Sequence, residues 1–284
     1  MKIADKERII SNILLLTALS SIGALALITV FIFVEGLPVI LKTGIFDFIF
    51  GMKWKPAKGI FSIFPMIAGS FAVMAGAMMV SVPFALCCSI YLAEFAGDTA
   101  RKFIKPAIEL LAGIPSVVYG FIGVTVLVPF VKNYIGGNGF SVLSCSLVLG
   151  VMVLPTITSI SFDALRAVPA SYREGALALG ATRWQAVKMA VVPAAGSGII
   201  AAVILGMGRA IGETMAVIMI AGNSLIIPLS PLDPVRTLTS NIALEMGYAS
   251  GAHRQALFAT GVVLFIIIMG LNVLATRIIN RAVK

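Results

Sequence analysis

Charge is scarce in this 284-residue chain. Asp, Glu, Lys and Arg make up 12% of it, about half the share of a soluble globular domain. Apolar residues make up 60%, and the mean hydropathy is +1.07. Together these values exclude a soluble domain and point to a polytopic helical membrane protein. Histidine occurs once, at His253. A hydrolase needs a nucleophile and a base within reach of one another. The Ser197 of Gly196-Ser197-Gly198 has no such partner in sequence, because His253 falls in another loop. Cysteine occurs three times, at Cys87, Cys88 and Cys145, all inside apolar runs. Their spacing fits neither a metal site nor a disulfide framework, so they read as small buried hydrophobes. The G-x-x-x-x-G-K-[ST] phosphate loop is missing, which excludes ATP hydrolysis by that route.

What charge there is has a pattern. The net charge is +9, yet no basic face is interleaved with exposed aromatics, so nucleic acid is not the partner. Lys and Arg flank apolar runs instead, as the positive-inside bias demands. Six runs are predicted to span, at about 12–34, 66–93, 107–131, 141–162, 189–222 and 256–277. Each reaches the ~20 residues needed to cross the hydrocarbon core. The fifth is too long for one straight span, so it tilts, protrudes or breaks among Gly196, Gly198, Gly206, Gly208 and Gly212. The first resembles a signal peptide, but its apolar core from Ile13 to Val34 exceeds the usual ~7–15 residues, so it is read as an uncleaved span.

With both termini cytoplasmic, thirteen of the 21 Lys and Arg residues fall inside, among them Lys2, Lys6, Arg8, Arg281 and Lys284. Seven fall outside, four of them lysines of the first outer loop, and Arg209 lies within a span. This orientation puts 163–188 in the cytoplasm and the Pro-containing loops 35–65 and 223–255 on the outer face. The domain reading is a single transmembrane unit, 1–284. It has a core at 66–280, an additional N-terminal span and outer loop at 12–65, and a cytoplasmic segment at 166–188.

That cytoplasmic segment holds Ser171–Gln185, polar and helix-prone, between two apolar spans. Pro169 and Ser171 predict a helix start, with Glu174 in the first turn where it suits the dipole. Gly180 predicts a turn between two short helices. From spacing alone, two readings stand: a re-entry loop capping the fourth and fifth spans, or a helix offered to a soluble partner.

Inside the fifth span, Arg209 and Glu213 are four residues apart, which places them on one helix face if the helix is continuous. Arg209 then lies roughly 24 Å along the helix from Pro193. Each charge costs about 2.5–3.5 kcal/mol at a helix centre, so a lipid-facing pair is excluded. One reading puts Arg209 on a translocation path, offering donors to an oxyanion while Glu213 holds the guanidinium. The other is a structural ion pair, with Gly208 and Gly212 as a G-x-x-x-G packing face. Glu94, Glu109 and Asp163 are predicted at membrane boundaries.

The spacing Glu174-Gly175-Ala176, three residues, Gly180, nine residues, then Ala190-Val191-Val192-Pro193 resembles the EAA loop of ABC-importer permeases. The departures are Gly175 for Ala, Ala190 for Ile and Val192 for Leu. Three further segments are similar to phosphate-importer permeases: Glu109 to Gly120 (ELLAGIPSVVYG), Met152 to Thr156 and Ala164 to Pro169. Gly208 to Val217 (GRAIGETMAV) and Thr237 to Gly247 resemble PstC-type rather than PstA-type subunits.

The resemblance implies an all-α, MetI-like type I permease fold in a bacterial or archaeal inner membrane. It implies that Glu174, Gly175, Ala176, Gly180, Arg183 and Trp184 couple to an ATPase; the intramembrane charges themselves put Arg209 and Glu213, with Thr214 beside them, on the substrate path. The implied partners are a PstA-like permease, two PstB-like ATPases and an extracytoplasmic phosphate-binding protein. ATP and Mg are used by the ATPase, and this chain needs no cofactor of its own. A permease for another oxyanion, of the molybdate or sulfate kind, and an ion-coupled secondary transporter using the Arg–Glu pair are the rival readings.

Overall fold

A computed structural model describes the backbone of residues 3–282 and the side chains of residues 10–278. The predicted terminal basic residues Lys2 and Lys284, and the side chains of Lys6, Arg8 and Arg281, lie outside the described residues. Among the described residues there is no sheet, only isolated bridges at Lys55–Ile60 and Gly222–Val235. The fold is all-α.

Helix α1 (Ile3–Thr43) runs nine residues past its predicted end and leads into the short α2 (Ile45–Phe50). Helix α3 spans Phe64–Phe95, its last turn a π-turn at Tyr91–Phe95. Helices α4 (Asp98–Gly113) and α5 (Ser116–Ile135) follow, then α6 (Val142–Arg166) and the short α7 (Ala170–Ala178). Next come α8 (Arg183–Ala194), α9 (Gly196–Gly212), α10 (Met215–Ile220) and α11 (Leu238–Glu245). Helix α12 (Gly251–Ala282) ends the described chain. Among the described residues, five helices are long and apolar enough to cross a membrane, six if the bent pair α8–α9 counts as one span.

One predicted span is corrected, and the expected break in another is located. The third, 107–131, is two helices, because Pro115 disfavours helical backbone at Ile114, which is extended (ψ 128). Helix α4 is amphipathic: it buries Ile108 in a cluster with Phe162 and Leu165 of α6 while Lys102 and Glu109 remain exposed. The fifth, 189–222, breaks twice. Helices α8 and α9 meet at 69° at Ala195, and α9 stops at Gly212, where Glu213 turns extended (ψ 130) before α10.

Small residues set the core. Across α3 and α6, a Cβ on Gly150 would sit 3.1 Å from Val80, and one on Gly76 would collide with Ser146. Helix α9 meets α6 through Gly198, Ala202 and Gly206, spaced four apart; a Cβ on Gly206 would lie 2.8 Å from Ile157. Without a hydrophobic drive in lipid, such close backbone approach is what holds helices together. The predicted packing face at Gly208 and Gly212 is not used so: no atom lies within 4 Å of either Cβ position. Helix α1 packs on α12 at the periphery, where Gly36 abuts the Ala259 backbone and Phe31 meets Phe258 edge-on at 5.4 Å.

Candidate coupling segment and substrate path

Residues 166–188 form an elbow. Pro169 (ψ 142) launches α7, and Gly180, at φ +83, ends it in a conformation that costs glycine nothing. Thr182 then starts α8 with a reciprocal cap. Its Oγ1 accepts the Gln185 N–H at 3.3 Å, and Gln185 Oε1 accepts the Thr182 N–H at 2.8 Å. The predicted two-helix layout with Gly180 between is therefore present. Glu174 differs from expectation: it sits in the second turn of α7, past the dipole's reach, and is exposed. Gly175, Gly180 and Trp184 are exposed too, and Ala176 is half-buried. Leu179 is 90% exposed and Trp184 55%, so the elbow presents apolar surface that this chain leaves uncovered.

The elbow is fastened to the bundle by two arginines. Arg173 donates through Nε to both Glu94 carboxylate oxygens at 3.0 Å and through Nη2 to Oε1 at 2.5 Å. Its Nη1 donates to the Val168 carbonyl at 2.8 Å and its Nη2 to the Leu165 carbonyl at 2.9 Å. The Glu94 hydrogen bonds raise the Arg173 pKa above its ordinary value, burial opposing them. Arg183, exposed on the elbow, donates to the Glu94 backbone carbonyl and stacks over Phe95 at 5.2 Å. Trp184 tilts against the same ring at 6.2 Å.

Sequence reasoning placed Glu94 at an interface and passed over Arg173. Glu94 is in fact buried, its side chain 7% exposed. The available signal was an arginine directly before Glu174 and a lone carboxylate at the end of an apolar span.

The predicted Arg209–Glu213 pair is not formed. Arg209 occupies the last turn of α9, exposed, and its Nη1 donates to Thr156 Oγ1 of α6 at 3.0 Å. Past Gly212 the helix has ended, so four-residue spacing no longer means a shared face. Glu213 Oε1 accepts the Ala216 N–H at 3.1 Å at the start of α10, and its carbonyl accepts from Thr239 at 2.9 Å. Thr214 Oγ1 bonds the Gly212 carbonyl at 3.3 Å. Among the described residues no carboxylate lies within ion-pair distance of Arg209. It is a free cation beside a broken span.

At the opposite end of the bundle from the elbow, the two long loops are joined through one buried carboxylate. Glu245 accepts from Arg236 Nη1 at 2.8 Å and from Trp54 Nε1 at 2.8 Å, and bonds His253 Nε2 at 2.8 Å. His253 is thus committed here, while Ser197 opens α9 beside Tyr172 of the elbow. The hydrolase constellation is not assembled.

A helical membrane bundle with an exposed elbow between two spans and an unpaired arginine at a break in a third defines a class: transport permeases of the MetI-like fold. Residues 85–284 match the family described as binding-protein-dependent transport system inner membrane component, and the chain belongs to that family. It is 43% identical to a probable ABC transporter permease, YqgH of Bacillus subtilis, over 92% of this chain and 88% of that one. It is 36% identical to the phosphate transport system permease PstC of Xylella fastidiosa, over 83% and 79% of the two chains. Within its family the chain is of the PstC type.

Solved structures agree on the fold. A bacterial alginate ABC transporter chain superposes with TM-score 0.67 at 16% identity, covering 98% of each chain. The MetNI methionine transporter gives 0.60 at 17%, covering 82% of this chain and 100% of that one. The family match begins inside α3, so α1, α2 and the Trp54 loop lie outside it.

Proposed function

We propose that this chain is one membrane half of an ATP-driven importer of inorganic phosphate. It pairs with a PstA-like permease, is driven by two PstB-like ATPases and receives phosphate from an extracytoplasmic binding protein. The observation that carries this reading is the elbow: a two-helix segment with exposed Glu174, Leu179 and Trp184, tied to the ends of two core helices. Such a segment is suited to taking force from a soluble motor on the cytoplasmic side, with both termini on that side as well. The ATPases bind ATP and Mg; this chain contributes no ligands to them.

The substrate end of the argument is Arg209. Its guanidinium has donors left after the single bond to Thr156, and among the described residues no carboxylate competes for them. A planar cation with free donors suits a tetrahedral oxyanion. Because the site has one cation rather than a closed cage, the anion binds weakly enough to leave, as any passage requires. Closing of the ATPase pair draws the two elbows together, rocks the permeases and opens the outer side; hydrolysis resets them.

The test is reconstitution into liposomes with and without the partner permease, ATPase and binding protein. The expected result is phosphate uptake that needs all components and ATP. Uphill uptake by this chain alone would support a secondary transporter instead. Equal competition by sulfate or molybdate would reassign the substrate.

A further inference from the structure

From this geometry we infer that Arg173 and Glu94 form the joint through which the elbow moves α3 and α6. This rests on the reading of residues 170–185 as the docking element. Arg173 bonds the carboxylate at the end of α3, the Leu165 carbonyl in the last turn of α6 and the Val168 carbonyl of the link that follows it. One planar guanidinium thus ties three elements, and Arg183 adds a second tie to the Glu94 carbonyl and Phe95. Glu94 is buried, so sliding the elbow off α3 would strand a desolvated carboxylate. Helices α3 and α6 are themselves locked by Gly76, Gly150 and the fully buried Ala77 and Leu149.

The covalent route is weaker. Between the elbow and α9 the chain bends by 69° at Ala195, and Gly196 has open space around it. Motion of the elbow therefore passes to α3 and α6 as one body, and reaches α9 through its packing on α6 at Gly198, Ala202 and Gly206 rather than through the bent chain at Ala195. Arg173 and Glu94 are positioning residues, acting through helices rather than on phosphate.

Glu94→Gln is the informative variant. It removes the charge but leaves Arg173 bonded to Leu165 and Val168, so the elbow keeps its shape. In the assembled importer, Glu94→Gln is expected to keep its ATPase and its ATP hydrolysis. Phosphate moved per ATP should fall about 10-fold, within the range for coupling between sites. Glu94→Asp should recover most of that ratio. An unchanged ratio in Glu94→Gln overturns the inference, and so does loss of the ATPase on purification, which would make the pair a mere support for docking.

A second measurement needs no substrate. Spin labels at Ser171→Cys and Phe84→Cys, with the native cysteines replaced by alanine, should keep their distance when ATP binds the complex. In Glu94→Gln that distance should change. A nucleotide-dependent shift between Ser171 and Phe84 in the parent complex would sink the joint. Absence of ATP-driven phosphate uptake by the parent would sink only the proposed function.

Discussion

Replacing Glu245 by Gln should release the Trp54 loop. The carboxylate now serves Arg236 on one oxygen and both Trp54 and His253 on the other, with its side chain 7% exposed. An amide has a single acceptor oxygen. Turned toward Arg236, it keeps that bond but loses its charge assistance, a difference of about 1 kcal/mol. Its NH2 then faces the Trp54 N–H, which is left without a partner. Trp54 is 5% exposed, so that orphan costs ~1–3 kcal/mol. His253 adds nothing, because its ring can accept from the amide by changing tautomer.

The expected loss for Glu245→Gln is therefore about 2–4 kcal/mol, local to the loop. For Glu245→Ala it is roughly 3–5 kcal/mol, since Arg236 is stranded as well. The chain has two tryptophans, and with Trp184→Phe the emission reports Trp54 alone. Heating the detergent-solubilised protein should show the Trp54 red shift at a lower temperature in Glu245→Gln, before the helices melt. If emission maximum and midpoint both match the parent, the buried network does not hold the loop and the reasoning fails.

Three further outcomes are expected. Arg209→Gln should abolish phosphate uptake while the complex still co-purifies; normal uptake would remove Arg209 from the path. Glu174→Lys reverses an exposed charge on the elbow and should release the ATPase or uncouple it, seen as reduced co-purification or idle ATP hydrolysis. In Gly36→Leu the new side chain meets the Ala259 backbone nitrogen, 2.8 Å from its Cβ, where nothing can give way. Helix α1 should then part from α12, and cross-linking between Phe31→Cys and Phe258→Cys should be lost.

The membrane-spanning character and the elbow were both legible in the residues, for local reasons. Apolar run length reports burial in lipid directly, and Gly180 and Pro169 act on their own backbone dihedrals. The EAA-like spacing survived its substitutions because those changes leave the backbone turn intact. The exposure of Trp184 and Glu174 followed from the same polar segment.

What misled was continuity. Run length cannot separate one long helix from two bent ones, so 107–131 reads as one span, whereas the excess length and glycines of 189–222 already signal a break without saying where it falls. The Arg209–Glu213 pair depended on where that break falls, since helical spacing means nothing once Gly212 has ended the helix. The stripe that packs α9 is Gly198, Ala202 and Gly206, not Gly208 and Gly212; both have small residues four apart, and only the position of α6 selects between them.

Composition and spacing thus settled that the chain lives in lipid and carries an elbow, because hydropathy and backbone dihedral preferences act over a few neighbouring residues. Which charges meet was decided by packing alone. Arg173 and Glu94 are 79 positions apart, and Trp54 and Glu245 are 191. No local preference encodes those distances; they follow from where the folded helices bring buried charges together, each of which needs a partner once water is gone.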